Sequence, residues 1–265
     1  MSATITQHAP GTFCWPELMT LDQEAARKFY STLFGWDSAD SPMGDAGTYT
    51  IFKLGGRDVA ALYTMDPNQR AMGIPPHWNA YVSVENADAA AAKATSLGAT
   101  VLMAPFDVMD HGRMAVIQDP QGAVFCVWQG MKTPGVGVLN EVGALVWTDP
   151  ATPRSSTAAA RCRTPPRPWT TEAWPGPMEY TQFKRGDGTA AGGMMTLTPE
   201  MKGAGVPPNW LSYFNVADCA ATVEQAKSLG AKVMMGPHSV PSVGTIAIFV
   251  DPQGAAFAVI QPAPM

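Results

Sequence analysis

The side chains able to do chemistry are few, and their placement limits what that chemistry can be. Four histidines (His8, His77, His111 and His238) in 265 residues are too sparse for a histidine-rich metal centre. His77 and His111 adjoin the turn signals Pro76 and Gly112 and read as loop residues. None of the four cysteines falls in a Cys-x-x-Cys pair, which reads as free thiols in a cytoplasmic protein. One carboxylate stands out. Phe13 to Met19 reads as a strand, and its alternation puts Trp15, Glu17 and Met19 on one face. A carboxyl buried among aromatic rings has a raised pKa, which suits a general acid or base. Glu17 is therefore the candidate catalytic group, with a structural carboxylate bonded to backbone as the other reading. By the same alternation Asn79, Tyr81 and Ser83 share a face, as do Val124, Cys126 and Trp128.

These residues need elements to hold them. Asp22 is a plausible helix N-cap, followed by Ala26, Phe29, Tyr30, Leu33 and Phe34 at helical spacing and closed by Gly35. Thr48 to Leu54 and Asp58 to Thr64 read as strands joined by Gly55-Gly56, a hairpin signal. Asn79 to Val84 alternates as a strand. An Ala-rich helix follows from about Ala87 to Leu97, with Gly98 at its C′ position. Thr100 to Met103, Arg113 to Gln118 and Val124 to Trp128 complete the set, the last two joined by an Asp119-Pro120-Gln121-Gly122 turn. The order is β-α-β-β, then β-α-β-β-β.

The whole arrangement occurs twice. Asp119-Pro120-Gln121-Gly122-Ala123 recurs as Asp251-Pro252-Gln253-Gly254-Ala255, an offset of 132 residues. The same offset joins Ser96-Leu97-Gly98-Ala99 to Ser228-Leu229-Gly230-Ala231, Trp15 to Trp147, Trp78 to Trp210, and Tyr81 to Tyr213. A repeat of this length is a duplicated domain rather than a solenoid unit. We place the copies at residues 1–132 and 138–265, divided by the Gly/Pro linker Lys132 to Gly137. The match fails at 149–168, where the helix of the first copy should repeat. Arg154, Arg161, Arg163 and Arg167 crowd a place that needs apolar faces, and Pro165, Pro166 and Pro168 would interrupt a helix. The register recovers beyond it, where Tyr180 to Phe183 matches Tyr49 to Phe52. The break reads as a compensated frameshift or as a basic loop that replaced the helix.

The strand–Asp–helix unit with Phe29-Tyr30 and Leu33-Phe34-Gly35-Trp36, the Ala-rich helix, and the twice-repeated Asp-Pro-Gln-Gly turn, in this order, resemble the vicinal oxygen chelate superfamily of glyoxalase, bleomycin-resistance and extradiol-dioxygenase proteins. The tandem form is similar to an actinobacterial subgroup, some members of which accompany anthracycline-type polyketide biosynthesis. The resemblance implies an α+β fold: two glyoxalase-like domains, each of paired βαβββ modules forming a curved sheet around an open cleft. It also implies three metal-ligand places. In this chain they hold Trp15, Asn79 and Cys126, and in the second copy Trp147, Leu211 and Ala258. Trp, Leu and Ala offer a divalent ion no side-chain lone pair, Asn is a poor ligand, and Cys126 stands alone. We expect no metal and no cofactor. Because the ligand places face the cleft, Trp15, Glu17, Asn79, Tyr81, Cys126, Trp128, Trp147 and Tyr213 are the candidate ligand-binding residues.

A net charge of −5 and a pI near 5.3 give no electrostatic footprint for nucleic acid. No apolar run approaches the length of a membrane span. We expect a monomer or homodimer that binds an apolar, aromatic small molecule, auxiliary to making or handling an aromatic polyketide or antibiotic. A glyoxalase-like lyase acting in detoxification of aldehydes of the methylglyoxal type and a drug-sequestering resistance protein are the alternatives.

Overall fold

The computed structural model describes residues 3–44, 47–152, 169–174, 179–203 and 205–264. The first copy contributes one eight-stranded sheet and the second copy another. In the first, β1 (Phe13–Thr20), α1 (Gln23–Phe34), β2 (Asp37–Pro42), β3 (Thr48–Leu54) and β4 (Arg57–Thr64) form one module. After a short helix α2 (Pro67–Ala71), β5 (His77–Ser83), α3 (Ala87–Ser96), β6 (Thr100–Val108), β7 (Gly112–Gln118) and β8 (Val124–Gly130) form the other. The strand order is β2-β3-β4-β1-β5-β8-β7-β6, with β1 and β5 antiparallel at the centre. Both modules are therefore βαβββ. Sequence reading missed β2, whose six residues are all exposed and polar or small, so no apolar alternation marks it. It also ended the strand after Gly98 at Met103. That strand continues past Pro105 to Val108, which an edge strand permits because the missing N–H faces no neighbour. His77 belongs to β5 rather than to a loop.

The second sheet repeats the order with β9 (Leu145–Thr152), β10 (Thr170–Ala173), β11 (Tyr180–Lys184), β12 (Ala190–Thr196), β13 (Asn209–Asn215), β14 (Lys232–Val240), β15 (Gly244–Val250) and β16 (Ala256–Pro262). Helices α4 (Pro199–Gly203) and α5 (Cys219–Ser228) accompany it. Residues 149–152, read above as the start of the atypical segment, complete β9 in the register of β1. The remainder, 153–168, lies outside the described residues, and with it the question of the lost helix.

Local chemistry accounts for the elements that matter to the site. Asp22 caps α1 by accepting from the Ala25 N–H at 3.0 Å, and Gly35 closes it at φ +69°. Ala26, Phe29, Tyr30 and Leu33 form its buried stripe. Asn86 caps α3, whose inward face is Ala87, Ala90, Ala91 and Ala94, small enough for close approach to the sheet. Gly55 and Gly56 both have positive φ, as a two-residue hairpin turn requires. In each Asp-Pro-Gln-Gly turn the Asp Oδ1 accepts backbone N–H groups of the turn, so the motif is architectural.

The two copies share one core. Phe34 of α1 lies 5.1 Å from Phe214, Trp78 lies 5.3 Å from Phe214, and Tyr30 lies 5.4 Å from Phe257, all between ring centroids. Arg57 and Glu141 add a bidentate ion pair with both contacts at 2.7 Å. The linker is not loose: Val136 N–H donates to Cys14 O, Gly137 N–H to Asp58 O, and Ile5 N–H to Gly137 O. No helix of the described residues is long and apolar enough to cross a membrane.

Candidate functional site

Each sheet has a second face, opposite the shared core, and the candidate residues gather there. In the first copy Trp15, Tyr81, Cys126 and Trp128 pack with Cys14, Ala61, Met114 and Val136. Register explains the gathering: Glu17 stands opposite Asn79, Trp15 opposite Tyr81, and Tyr81 beside Cys126. The Ser83 hydroxyl donates to His8 O. Sequence reasoning missed Tyr49, Tyr63, Met114 and Val136. The match of Tyr49 to Tyr180 across the duplication was the available signal for the first of these.

Glu17 lies at the centre, with 7% of its surface exposed. The Tyr49 hydroxyl donates to its Oε2 at 2.6 Å, and the Tyr81 hydroxyl to its Oε1 at 2.9 Å. The Asn79 amide reaches Oε1 at 3.4 Å, and Trp15 Nε1 donates to the Tyr49 oxygen at 2.9 Å. Burial pushes the Glu17 carboxyl up, while the bonds from Tyr49, Tyr81 and Asn79 pull it down; burial wins. The group thus releases its proton less readily than an exposed carboxyl, and its oxygens accept from two tyrosines and an asparagine. Burial also pushes up the Cys126 thiol, so it sits as a small neutral hydrophobe rather than a thiolate.

The second copy builds the same device with one methylene fewer. Asp149 takes the place of Glu17, and its Oδ1 accepts from Trp147 Nε1, from the Tyr180 hydroxyl at 2.7 Å and from the Gly193 N–H at 3.0 Å. Trp147 Nε1 also donates to the Tyr180 oxygen at 2.8 Å, and Tyr213 hydrogen-bonds the same carboxyl. The shorter acid draws Tyr180 toward the sheet. Gly193 makes room: a Cβ there would lie 2.0 Å from the Tyr180 hydroxyl oxygen. The register position equivalent to Gly193 in the first copy is Ala61, opposite the longer Glu17. Burial, the largest cause, raises the Asp149 carboxyl to about 6. Leu211, Ala258 and Ile260 line the rest, so this cleft offers fewer polar groups than the first.

Neither donor set suits a metal ion. The three places that would supply ligands carry Trp15, Asn79 and Cys126 in one copy and Trp147, Leu211 and Ala258 in the other. Both carboxylates are instead engaged by hydroxyl, indole, amide and backbone donors. Among the described residues no three His, Cys, Asp or Glu stand close enough to hold one. His77 donates or accepts only locally, with Nδ1 2.8 Å from Pro75 O and Nε2 3.1 Å from the Asn79 amide oxygen.

Comparison with known proteins agrees with this architecture. The model of the Glyoxalase/Bleomycin resistance protein/Dioxygenase superfamily matches residues 13–127 and again 163–259. A Mycobacterium tuberculosis protein provisionally named glyoxylase CFP32 is 38% identical over 98% of both chains. The anthracycline biosynthesis protein DnrV of Streptomyces peucetius is 34% identical over 97% of this chain and 95% of its own. Among solved structures, the Mn(II)-bound glyoxalase from Novosphingobium aromaticivorans shares the fold, with a TM-score of 0.62 at 14% identity, covering 97% of this chain and 89% of that one.

Proposed function

The chain belongs to the Glyoxalase/Bleomycin resistance protein/Dioxygenase superfamily, and from that membership we propose a metal-independent protein that binds a flat aromatic small molecule in its first cleft. The observation that carries the reading is the Trp15–Tyr49–Glu17–Tyr81 network. It occupies the fold's metal place with hydrogen-bond donors and aromatic walls, the make-up of a small-molecule site. Trp15, Tyr81, Met114 and Trp128 supply the apolar wall. The Asn79 arm, the longest of the three bonds to Glu17, is the one that a ligand oxygen can displace, after which Glu17 accepts from a ligand hydroxyl or takes up a proton from it. The full-length similarity to DnrV and to DauV of Streptomyces sp. (strain C5), both named for anthracycline biosynthesis, supports a ligand of the hydroxylated polycyclic class and an auxiliary role in producing or handling it.

Titration of the purified protein with hydroxyanthraquinones, followed by tryptophan fluorescence, tests the reading. Saturable quenching that weakens in Glu17→Gln and in Trp15→Phe is expected; no quenching by any of the panel overturns it. One stoichiometric divalent ion per chain, with turnover of a hemithioacetal substrate, would establish the glyoxalase-type alternative instead.

A further inference from the structure

The cleft face of the first sheet does not end at the Glu17 network. Strand register carries it outward: Tyr81 stands beside Cys126, Cys126 opposite Val116, and Val116 opposite Met103 on the edge strand β6. Side chains paired in this way point to the same face of a sheet. Trp15, Tyr81, Cys126 and Trp128 pack closely on one another, but the strip beside them is open to solvent. Along it Tyr63 of β4, Asn79 of β5, Val124 of β8 and Val116 of β7 are each half-buried, and Met103 of β6 is 49% exposed. Polar groups gather at one end, where Glu17 stands opposite Asn79. Beyond Asn79 the strip is lined by Val124, Val116 and Met103, and the neighbouring Gln118 turns its amide away to donate to Gly122 O at 3.1 Å. Four strand spacings separate β1 from β6, about 19 Å across the sheet.

The exposed methionine is a feature of the repeated unit rather than a stray. In the second copy Met235, 39% exposed, stands opposite Ile248, which stands opposite Ala258 beside Tyr213. Nor does β6 present Met103 for the addition of another strand. Its register shifts on both sides of Met103, and it carries Pro105, devices that keep an edge strand from pairing with a further chain. What is offered is the face of the strand, through a soft side chain that adapts to the shape laid on it. The two strips differ at their ends. Leu211 takes the place of Asn79 and His238 that of Phe106, so the first strip joins a polar end to an apolar one and the second does not.

We propose that the strip from Asn79 to Met103 is the distal half of the first cleft, and that the cleft takes an elongated fused-ring phenol, longer than a naphthalene. The hydroxyl end lies at Glu17 and Asn79, and the far ring covers Val116 and Met103. Met103 thereby sets the length that the site prefers. The proposal rests on the reading that the first cleft binds a flat aromatic molecule, and it adds the direction in which that molecule lies.

Equilibrium dialysis of the full chain against phenol, 2-naphthol and 2-anthrol, which carry one hydroxyl on a lengthening ring system, tests the proposal. Affinity should rise along the series, and Glu17→Gln should weaken all three. Met103→Ala should weaken 2-anthrol by about fivefold to tenfold, the scale of covering half a methionine side chain, and leave 2-naphthol unchanged. Met235→Ala should change neither. With methionine methyl groups labelled, the Met103 methyl resonance should move on adding 2-anthrol and stay in place with 2-naphthol. If 2-anthrol binds no tighter than 2-naphthol, if Met235→Ala weakens it as much as Met103→Ala, or if the Met103 methyl does not move, the proposal is overturned. Binding of 2-naphthol that Glu17→Gln weakens would still uphold the cleft reading in that case, whereas no binding by any of the three overturns both. A Met103→Ala variant whose mass in solution differs from that of the unmodified protein, by light scattering, would assign the patch to a contact between copies and likewise overturn the proposal.

Discussion

Replacing Asp149 by Asn should change how stability depends on pH, in a direction and size that follow from its surroundings. Burial raises this carboxyl from 3.8 to about 6, against the pull of Tyr180, Trp147, the Gly193 N–H and Tyr213. Well below pH 3.8 the group is protonated in folded and unfolded chains alike and contributes no pH dependence. Between 3.8 and about 6 the unfolded chain gives up a proton that the folded chain keeps, so stability falls as pH rises. Above about 6 the loss is complete, and a shift of this size corresponds to about 3 kcal/mol. Asn cannot ionise, yet its Oδ1 can still accept from Trp147, Tyr180 and Gly193. Urea unfolding of both proteins near pH 4.5 and pH 8, read by circular dichroism, should show Asp149→Asn gaining on the wild type by about 2 kcal/mol over that interval. Glu17 is raised in the same direction but is present in both proteins and cancels. A variant whose stability runs parallel to the wild type across this range would refute the claim that burial, rather than hydrogen bonding, controls the proton.

Four further outcomes follow from the duplication and its geometry. Gly193→Ala puts a methyl group against the Tyr180 hydroxyl and should cost about 1–3 kcal/mol, read as a lower melting temperature, while Ala61→Gly in the first copy should cost only about 1 kcal/mol. Tyr30→Phe leaves Trp78 Nε1 and Asp251 Oδ2 unanswered at about 1–3 kcal/mol each, and should lower the melting temperature by several degrees. Trp210→Phe, which removes an N–H already without a partner, should cost less than Trp78→Phe. Finally, if the break after Thr152 is a compensated frameshift, the coding DNA for 153–168 read in another frame should encode aromatic residues at the places of Phe29 and Tyr30. An alternative frame without them identifies a basic loop.

The parts of this molecule that could be read from the sequence are those where one local rule decides. The duplication needed only a constant offset. The ends of α1 needed only Asp22 and Gly35, and the face shared by Trp15 and Glu17 needed only the two-residue period of a strand. Alternation and the fold resemblance also brought Tyr81, Cys126 and Trp128 to the same side. What escaped depends on more than one element. Asp37–Pro42 forms a strand because it can pair with β3, not because of any pattern of its own. Tyr49 reaches Glu17 from a strand two places away in the sheet, a distance set by sheet geometry. The fit of Gly193 beneath Tyr180 appears only when Asp149 and Glu17 are compared in register. The linker, read as punctuation, contributes Val136 to the wall of the first cleft.

That last feature bears on how the tandem could have arisen and whether it can come apart. Val136 is wholly buried in the first cleft, its carbonyl meets the His8 ring 2.9 Å away, and a Cβ at Gly135 would lie 2.6 Å from Cys14 O. The connection is thus inherited as part of the first half, although its only obvious task is to reach the second. Cutting the gene there would yield unequal descendants: one keeps its binding face whole, and the other is deprived of a wall or carries a tail, depending on which side of Val136 the break falls. Fusion in such a lineage is hard to reverse, because the joint has become an organ of one of the partners.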